Sequence, residues 1–217
     1  MIPLHRCAEV AKAHRDGTPI VALAHGKVRY VGEPVAVVMA ESRYLAEDAL
    51  DAIRVDYQAL PVAVDTQAAI AADAPLLHEG VGSNVVSERH FRYGDPEQAF
   101  AEAEHRVALK ERVPRSSCTP MECYVVLAEY DPASSSYDVL ANFQGPYALH
   151  TVMARALKVP GNRLRLRTPP DSGGSFGIKQ AMYPYIVLLA AASRTEARRS
   201  LAVKMPSFSS EVILSIL

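Results

Sequence analysis

The chemistry-bearing residues of this chain concentrate late in the sequence. Gly173, Gly174, Ser175, Phe176, Gly177, Ile178 and Lys179 follow the run TPPDS, between an alternation of Arg with Leu and an apolar stretch. Glycines at a strand-to-helix junction let backbone N–H groups approach a ligand closely, and several such groups together suit an anion. Two phosphate-binding forms are excluded by the letters. A P-loop needs Gly-Lys-Ser/Thr in succession, but Ile178 separates Gly177 from Lys179 and Gln180 follows; a GxGxxG fingerprint would need Gly where Ser172 stands. On composition alone the segment reads first as a flexible turn, with a nucleotide-binding module as an alternative. Gln144, closing the run VLANFQ, carries a carboxamide that can donate and accept at once; by position alone it is a polar residue at a hairpin end.

Other candidate groups point to plainer roles. Arg163, Arg165 and Arg167 share one strand face, which reads as a solvated or domain-facing strand before a phosphate site. The seven histidines show no HExxH spacing, so zinc chemistry is not expected, and no metal-ligand set is assigned. Cys7, Cys118 and Cys123 form no CxxC pair and read as ordinary reduced thiols. Three thiols fall short of the four that an ordinary iron–sulfur cluster takes, so such a cluster is expected elsewhere.

Composition narrows the partners. Across 217 residues, 23 Lys and Arg stand against 24 Asp and Glu, a formal charge of -1, which gives no broad field for nucleic acid or an anionic membrane. The opening MIPLHRCAEVAKAHRDG has no apolar core of a signal peptide, so a cytoplasmic location is expected. The longest apolar run, Ala181 to Ala192, is interrupted by Pro184 and falls short of the roughly 20 residues that span a bilayer. It reads as a buried helix.

The elements that must position these residues follow from periodicity. Ile20 to Ala24 and Pro34 to Ala40 read as strands. Ser42 caps a helix through Leu50, with Leu45, Ala46, Ala49, Leu50 and Ile53 as its apolar stripe. Ile53, Val55 and Tyr57 alternate with charge as a half-buried strand, and the Ala-rich stretch from Asp65 to Ser83 marks the edge of a first domain. Beyond it, Val85 to Tyr93 is extended, and Asp95, Pro96 and Gln98 start a short helix with a capping box. Val107 to Val113 is a strand, and Tyr124 to Tyr130 pairs with Tyr137 to Asn142 around DPASSS, building a second sheet. Pro146 opens a helix with Leu149, Val152, Met153 and Leu157 on one face, and Arg163 to Arg167 is a strand leading to the glycine loop.

Two blocks in this order carry a resemblance. RVPRSSCTPMECYVVLAEYD with VLANFQGPYALHTVMARALKVPGNRLRLRTPPDSGGSFGIKQ resembles the start of the molybdenum-binding domain of the xanthine dehydrogenase, aldehyde oxidase and carbon monoxide dehydrogenase family. VRYVGEPVAVVMAESRYLAEDALDAIRVDYQALPVAVD is similar to that family's α/β hammerhead domain, so the likeness runs from about Lys27 to Arg194. The resemblance implies an α+β fold, with a hammerhead domain over residues 1–83 and part of a molybdopterin-binding domain over 84–217, atypical from about 195. It implies cofactor-binding roles for Gln144, whose amide would approach an oxygen ligand of molybdenum, and for Gly173, Gly174, Phe176 and Gly177 beside the metal and its pterin. Molybdenum is held there by pterin sulfurs, which requires no protein ligand.

The same resemblance implies a molybdopterin-type cofactor in its cytosine dinucleotide form, with FAD on a medium partner subunit and [2Fe-2S] on a small one. The implied reaction is oxidative hydroxylation of a small carbonyl, heterocyclic or CO-type substrate. The family's general base is a glutamate far downstream of these blocks, so no catalytic residue is assigned: Glu211 lacks its glycine-rich context, and Glu122 is expected to pack or hydrogen-bond on its strand. After Arg194 the sequence TEARRSLAVKMPSFSSEVILSIL departs from the family pattern, from which a frameshift or early stop near Ala192 to Arg198, and a chain inactive alone, are expected. A non-catalytic folding or interaction remnant stands as the alternative.

Overall fold

The computed structural model describes residues 22–113, 118–196, 200–203 and 211–216, the last two segments as backbone. The opening residues, with Cys7 and the start of the expected first strand, lie outside the described residues, as do residues 114–117 and 197–199.

The chain is α+β. Strand β1 (Ala36–Ala40) leads into helix α1 (Arg43–Asp51), whose Ser42 cap accepts from Leu45 N at 3.3 Å. Only Ala46 and Leu50 of its expected stripe are buried; Leu45 is 54% exposed and Ile53 lies beyond the helix, so the helix docks along a narrow edge. Two short helices follow, α2 (Thr66–Ala69) capped by Asp65 and α3 (Pro96–Glu102) capped by Asp95. Asp95 accepts from Gln98 N, but the Gln98 side chain donates to Glu102 at 2.7 Å, leaving the capping box half made.

The packed core starts with β2 (Val125–Asp131) and β3 (Ser136–Ala141), an antiparallel hairpin. Asp131 folds its turn by accepting from Ala133 N at 3.0 Å and Ser134 N at 3.3 Å. Alternation puts Val126, Ala128, Tyr137, Val139 and Ala141 on the inner face. Helix α4 (Pro146–Ala156) then crosses to β4 (Leu164–Arg167), which lies parallel to β3. Arg165 and Arg167 both reach Asp138 on β3, at 3.4 and 2.7 Å, which settles their face as a solvated one with a local partner. Helix α5 (Tyr183–Glu196) covers β2 and β3, burying Ile186, Val187, Leu188, Leu189, Ala190 and Ala192. Among the described residues no helix is long and apolar enough to cross a membrane.

Strands β5 (Ser200–Val203) and β6 (Glu211–Ile216) complete the sheet, in the order β1-β6-β5-β2-β3-β4. Instead of two sheets there is one of six strands: β5 pairs with the free edge of β2, and β6 joins it to β1. Periodicity reports which face of a strand is buried, not which edge finds a partner. The same reason accounts for three expected strands that do not form. Residues 53–57, 85–93 and 107–113 are irregular and largely exposed. Alternation there has no neighbouring backbone to supply a ladder.

Truncating Leu188, fully buried in α5, is expected to cost about 2–5 kcal/mol as Leu188→Ala. Tyr147→Ala, at a residue 94% exposed, should stay within about 0.5 kcal/mol. Urea unfolding midpoints compared at constant m-value check both.

Candidate functional site

The two ends of the β2–β3 hairpin are tied together by one side chain. Asn142, directly after β3, donates from Nδ2 to Cys123 O at 2.7 Å and accepts at Oδ1 from Val125 N at 2.8 Å. The segment before β2 is therefore fixed beside the segment after β3, and Gln144 projects two residues on, exposed to solvent. Gly145, at φ +73, supplies the left-handed turn that lets Pro146 begin α4 immediately.

The glycine loop reaches the same place from β4. Gly174 and Gly177 have φ of +95 and +92, and Phe176 between them takes the left-handed region at +50. Gln144 Oε1 accepts from Gly177 N at 3.1 Å and from Ser175 Oγ. With its oxygen engaged by the loop, the carboxamide presents Nε2 away from it; this orientation follows from the hydrogen-bond network. Phe176, 72% exposed, lies between Ser175 and Gly177, the two residues that bond Gln144, and its ring packs on the loop. Gly174 lies under that ring: a Cβ there would meet Phe176 Cε2 at 3.0 Å. The structure thus brings Gln144 together with Gly177, and Gly174 with Phe176. Gly173 faces a different neighbour, Glu122, whose Cβ would lie 2.5 Å from any Cβ added to the glycine.

Past Gly177 the chain makes a single 3-10 turn, residues Ile178–Gln180, tied back by Ile178 N to Ser175 O at 3.1 Å and Lys179 N to Ser175 Oγ at 3.3 Å. Lys179 is buried to 2% exposure, and its Nζ donates to Glu122 Oε2. Glu122 lies ahead of β2, not on a strand, and its carboxylate is held below the ordinary range first by Lys179, then by the Asn142 side chain and the Gly173 N–H. A lowered folded pKa means that this pairing is complete at neutral pH and fades as pH falls below the ordinary carboxylate range. The hydrogen-bonding role expected for Glu122 is present, but its partner is a lysine 57 residues away.

A family model for the molybdopterin cofactor-binding domain matches residues 77–205, and one for the aldehyde oxidase and xanthine dehydrogenase a/b hammerhead domain matches residues 5–61. The chain belongs to the aldehyde oxidase and xanthine dehydrogenase family. The match continues past Arg194, where the likeness read from the sequence ended. The chain is 33% identical, over 82% of its length, to the carbon monoxide dehydrogenase large chain of Hydrogenophaga pseudoflava. To subunit gamma of the 6-hydroxypseudooxynicotine dehydrogenase complex of Paenarthrobacter nicotinovorans it is 36% identical over 80%. It spans 24% and 21% of the lengths of these two relatives. Quinoline 2-oxidoreductase from Pseudomonas putida 86 shares the fold at a TM-score of 0.74, with 26% identity over 98% of this chain and 26% of that one.

For this member of the xanthine dehydrogenase family, sequence reasoning overlooked Ser175 and Asn142, and left Lys179 only as the end of a motif. Ser175 sits inside that motif, but nothing in its type distinguishes a loop serine from one bridging Gln144 and Lys179.

Gly173→Ala is expected to lose about 1–3 kcal/mol, the range for overpacking a filled site, because Glu122 Cβ occupies the space. Gly80→Ala, with nothing within 4 Å, should leave the melting temperature unchanged. A thermal scan of the two variants checks the contrast.

Proposed function

We propose that this chain binds the molybdopterin form of the molybdenum cofactor through Gln144, Gly173, Gly174, Phe176 and Gly177. It serves as the cofactor-holding part of a multisubunit oxidoreductase acting on a small carbonyl, heterocyclic or CO-type substrate. The observation that carries the reading is the contact of Gln144 Oε1 with Gly177 N at 3.1 Å. It joins two segments, and among the described residues no acceptor is recorded for Gln144 Nε2, which is placed to donate outward. The residues fit an oxygen-rich anionic group: a carboxamide donor, a turn whose glycines have no side chains to block approach, and an exposed ring at its rim.

Bound there, the cofactor supplies two-electron redox chemistry that protein side chains lack. The chain's own residues bind and orient. Gln144 Nε2 would donate to an oxygen of the group without displacing it, and the exposed Phe176 would cover one side against water. No general base is assigned among these residues. The cytosine dinucleotide form of the cofactor, FAD and [2Fe-2S] on medium and small partner subunits, and a cytoplasmic location complete the reading. The expectation of partner subunits is supported by the names of relatives such as subunit gamma of the 6-hydroxypseudooxynicotine dehydrogenase complex.

Exposed apolar residues favour a second reading for the chain on its own. Val85, Phe91, Tyr93, Phe100, Val107, Leu109 and Val113 all lie exposed along residues 84–113. An apolar segment without a cover favours association over a stable monomer. Light scattering of the isolated chain should show self-association; a monodisperse monomer would count against the remnant reading.

The chain purified from cells that make the cofactor should carry molybdenum, measured by mass spectrometry of the metal. Gln144→Ala should lower that content about tenfold, the equivalent of one hydrogen bond to a charged group. A wild-type chain free of both molybdenum and pterin would sink the proposal, and retention of a nucleotide without molybdenum would favour the nucleotide-binding alternative.

A further inference from the structure

We propose that Glu122 is the positioning residue of this site, its carboxylate holding the glycine loop in register with Gln144 and Lys179 acting as its counter-ion. The inference rests on the cofactor reading only for what the positioned groups serve.

Glu122 joins three segments that are remote in sequence. Its carboxylate accepts from Lys179 Nζ in the turn before α5, its Cβ lies against Gly173 at the head of the loop, and the adjacent Cys123 O accepts from Asn142 Nδ2 after β3 at 2.7 Å. These contacts close a circuit. Lys179 N donates to Ser175 Oγ at 3.3 Å, Ser175 Oγ donates to Gln144 Oε1, and Gln144 is two residues along the chain from Asn142, whose side chain is bonded to Cys123, the residue after Glu122. Gln144 bonds the loop directly through Gly177 N and Ser175 Oγ, and Glu122 braces the same loop at its two ends, against Gly173 and through Lys179.

Burial shows why this arrangement serves geometry more than stability. The Lys179 side chain is 3% exposed, whereas that of Glu122 is 33% exposed. Desolvating an ammonium group offsets most of what an ion pair gains, so apolar packing of the same volume would hold the fold about as well. Apolar packing would not hold the Lys179 ammonium, and with it the turn after Gly177, in one direction. Gly173 adds a steric match: only a residue without Cβ lets the Glu122 stem lie against the loop.

Amide hydrogen exchange measured by NMR on the full 217-residue chain tests the role. In Glu122→Gln, which keeps size and one acceptor but loses the charge, exchange at Gly173 and Gly177 should accelerate at least about tenfold, the factor worth 1.4 kcal/mol at room temperature. Val139 and Leu140 in β3 should exchange as before. Lys179→Met should give the same local pattern, and the milder Glu122→Gln keeps the test valid if the lysine variant does not fold. Unchanged exchange at both glycines in Glu122→Gln, or equal acceleration throughout β3, would overturn the proposal. Molybdenum content read on the same samples separates the two claims. Local acceleration with molybdenum lost from the variant supports both; local acceleration in a chain that takes up no molybdenum even as wild type sustains the positioning role and removes the cofactor reading.

Discussion

Helix α5 is apolar around most of its circumference, and burying it against β2 and β3 is the constraint on which the rest depends. Ile186, Leu188, Leu189, Ala190 and Ala192 are fully enclosed. That burial fixes where α5 begins, and so fixes the far end of the loop that leaves β4. Between those two fixed points the chain must turn sharply. The positive φ angles at Gly174, Phe176 and Gly177 are the consequence of that geometry. A loop pinned at both ends by a packed core can hold backbone donors in set directions, which a freely moving surface loop cannot.

The hairpin imposes the matching constraint from the other side. Asn142 ties Cys123 and Val125 to the end of β3, so Gln144 emerges from a braced corner. Gln144 and the loop meet because both are anchored to the same two strands. Proximity here is a property of the sheet, transmitted through short connections. The family relationship adds an independent reason for reading that meeting as a binding site, since the molybdopterin cofactor-binding match spans both segments.

Much of this was legible in the sequence where local chemistry decides structure. Asp95 with Pro96, Ser42, the DPASSS turn, and the Gly-Pro start of α4 each specify a boundary through their own backbone preferences, and each boundary falls close to where those residues place it. The α+β class agrees with the same local signals, whereas the family came from the resemblance of two blocks in order. What could not be read depends on groups distant along the chain. The alternation of Ile53, Val55 and Tyr57 describes a strand that finds no partner, and the stripe of α1 is broader than the surface available to it. Lys179 was visible as a charged residue after a glycine motif, but its burial depends on Glu122, which no pattern of spacing links to it.

The pairing of Ala36 with Glu211 has a consequence for how the chain acquires its shape. Strand β1 is the first of the described strands and its parallel neighbour the last, so among the described strand pairings that ladder closes the largest loop. Local contacts such as the β2–β3 hairpin form without that entropic penalty, and sequence-distant parallel pairing is slow. During synthesis β1 waits with an edge of unpaired backbone until β6 arrives, an interval in which its hydrogen-bonding groups are open to other chains.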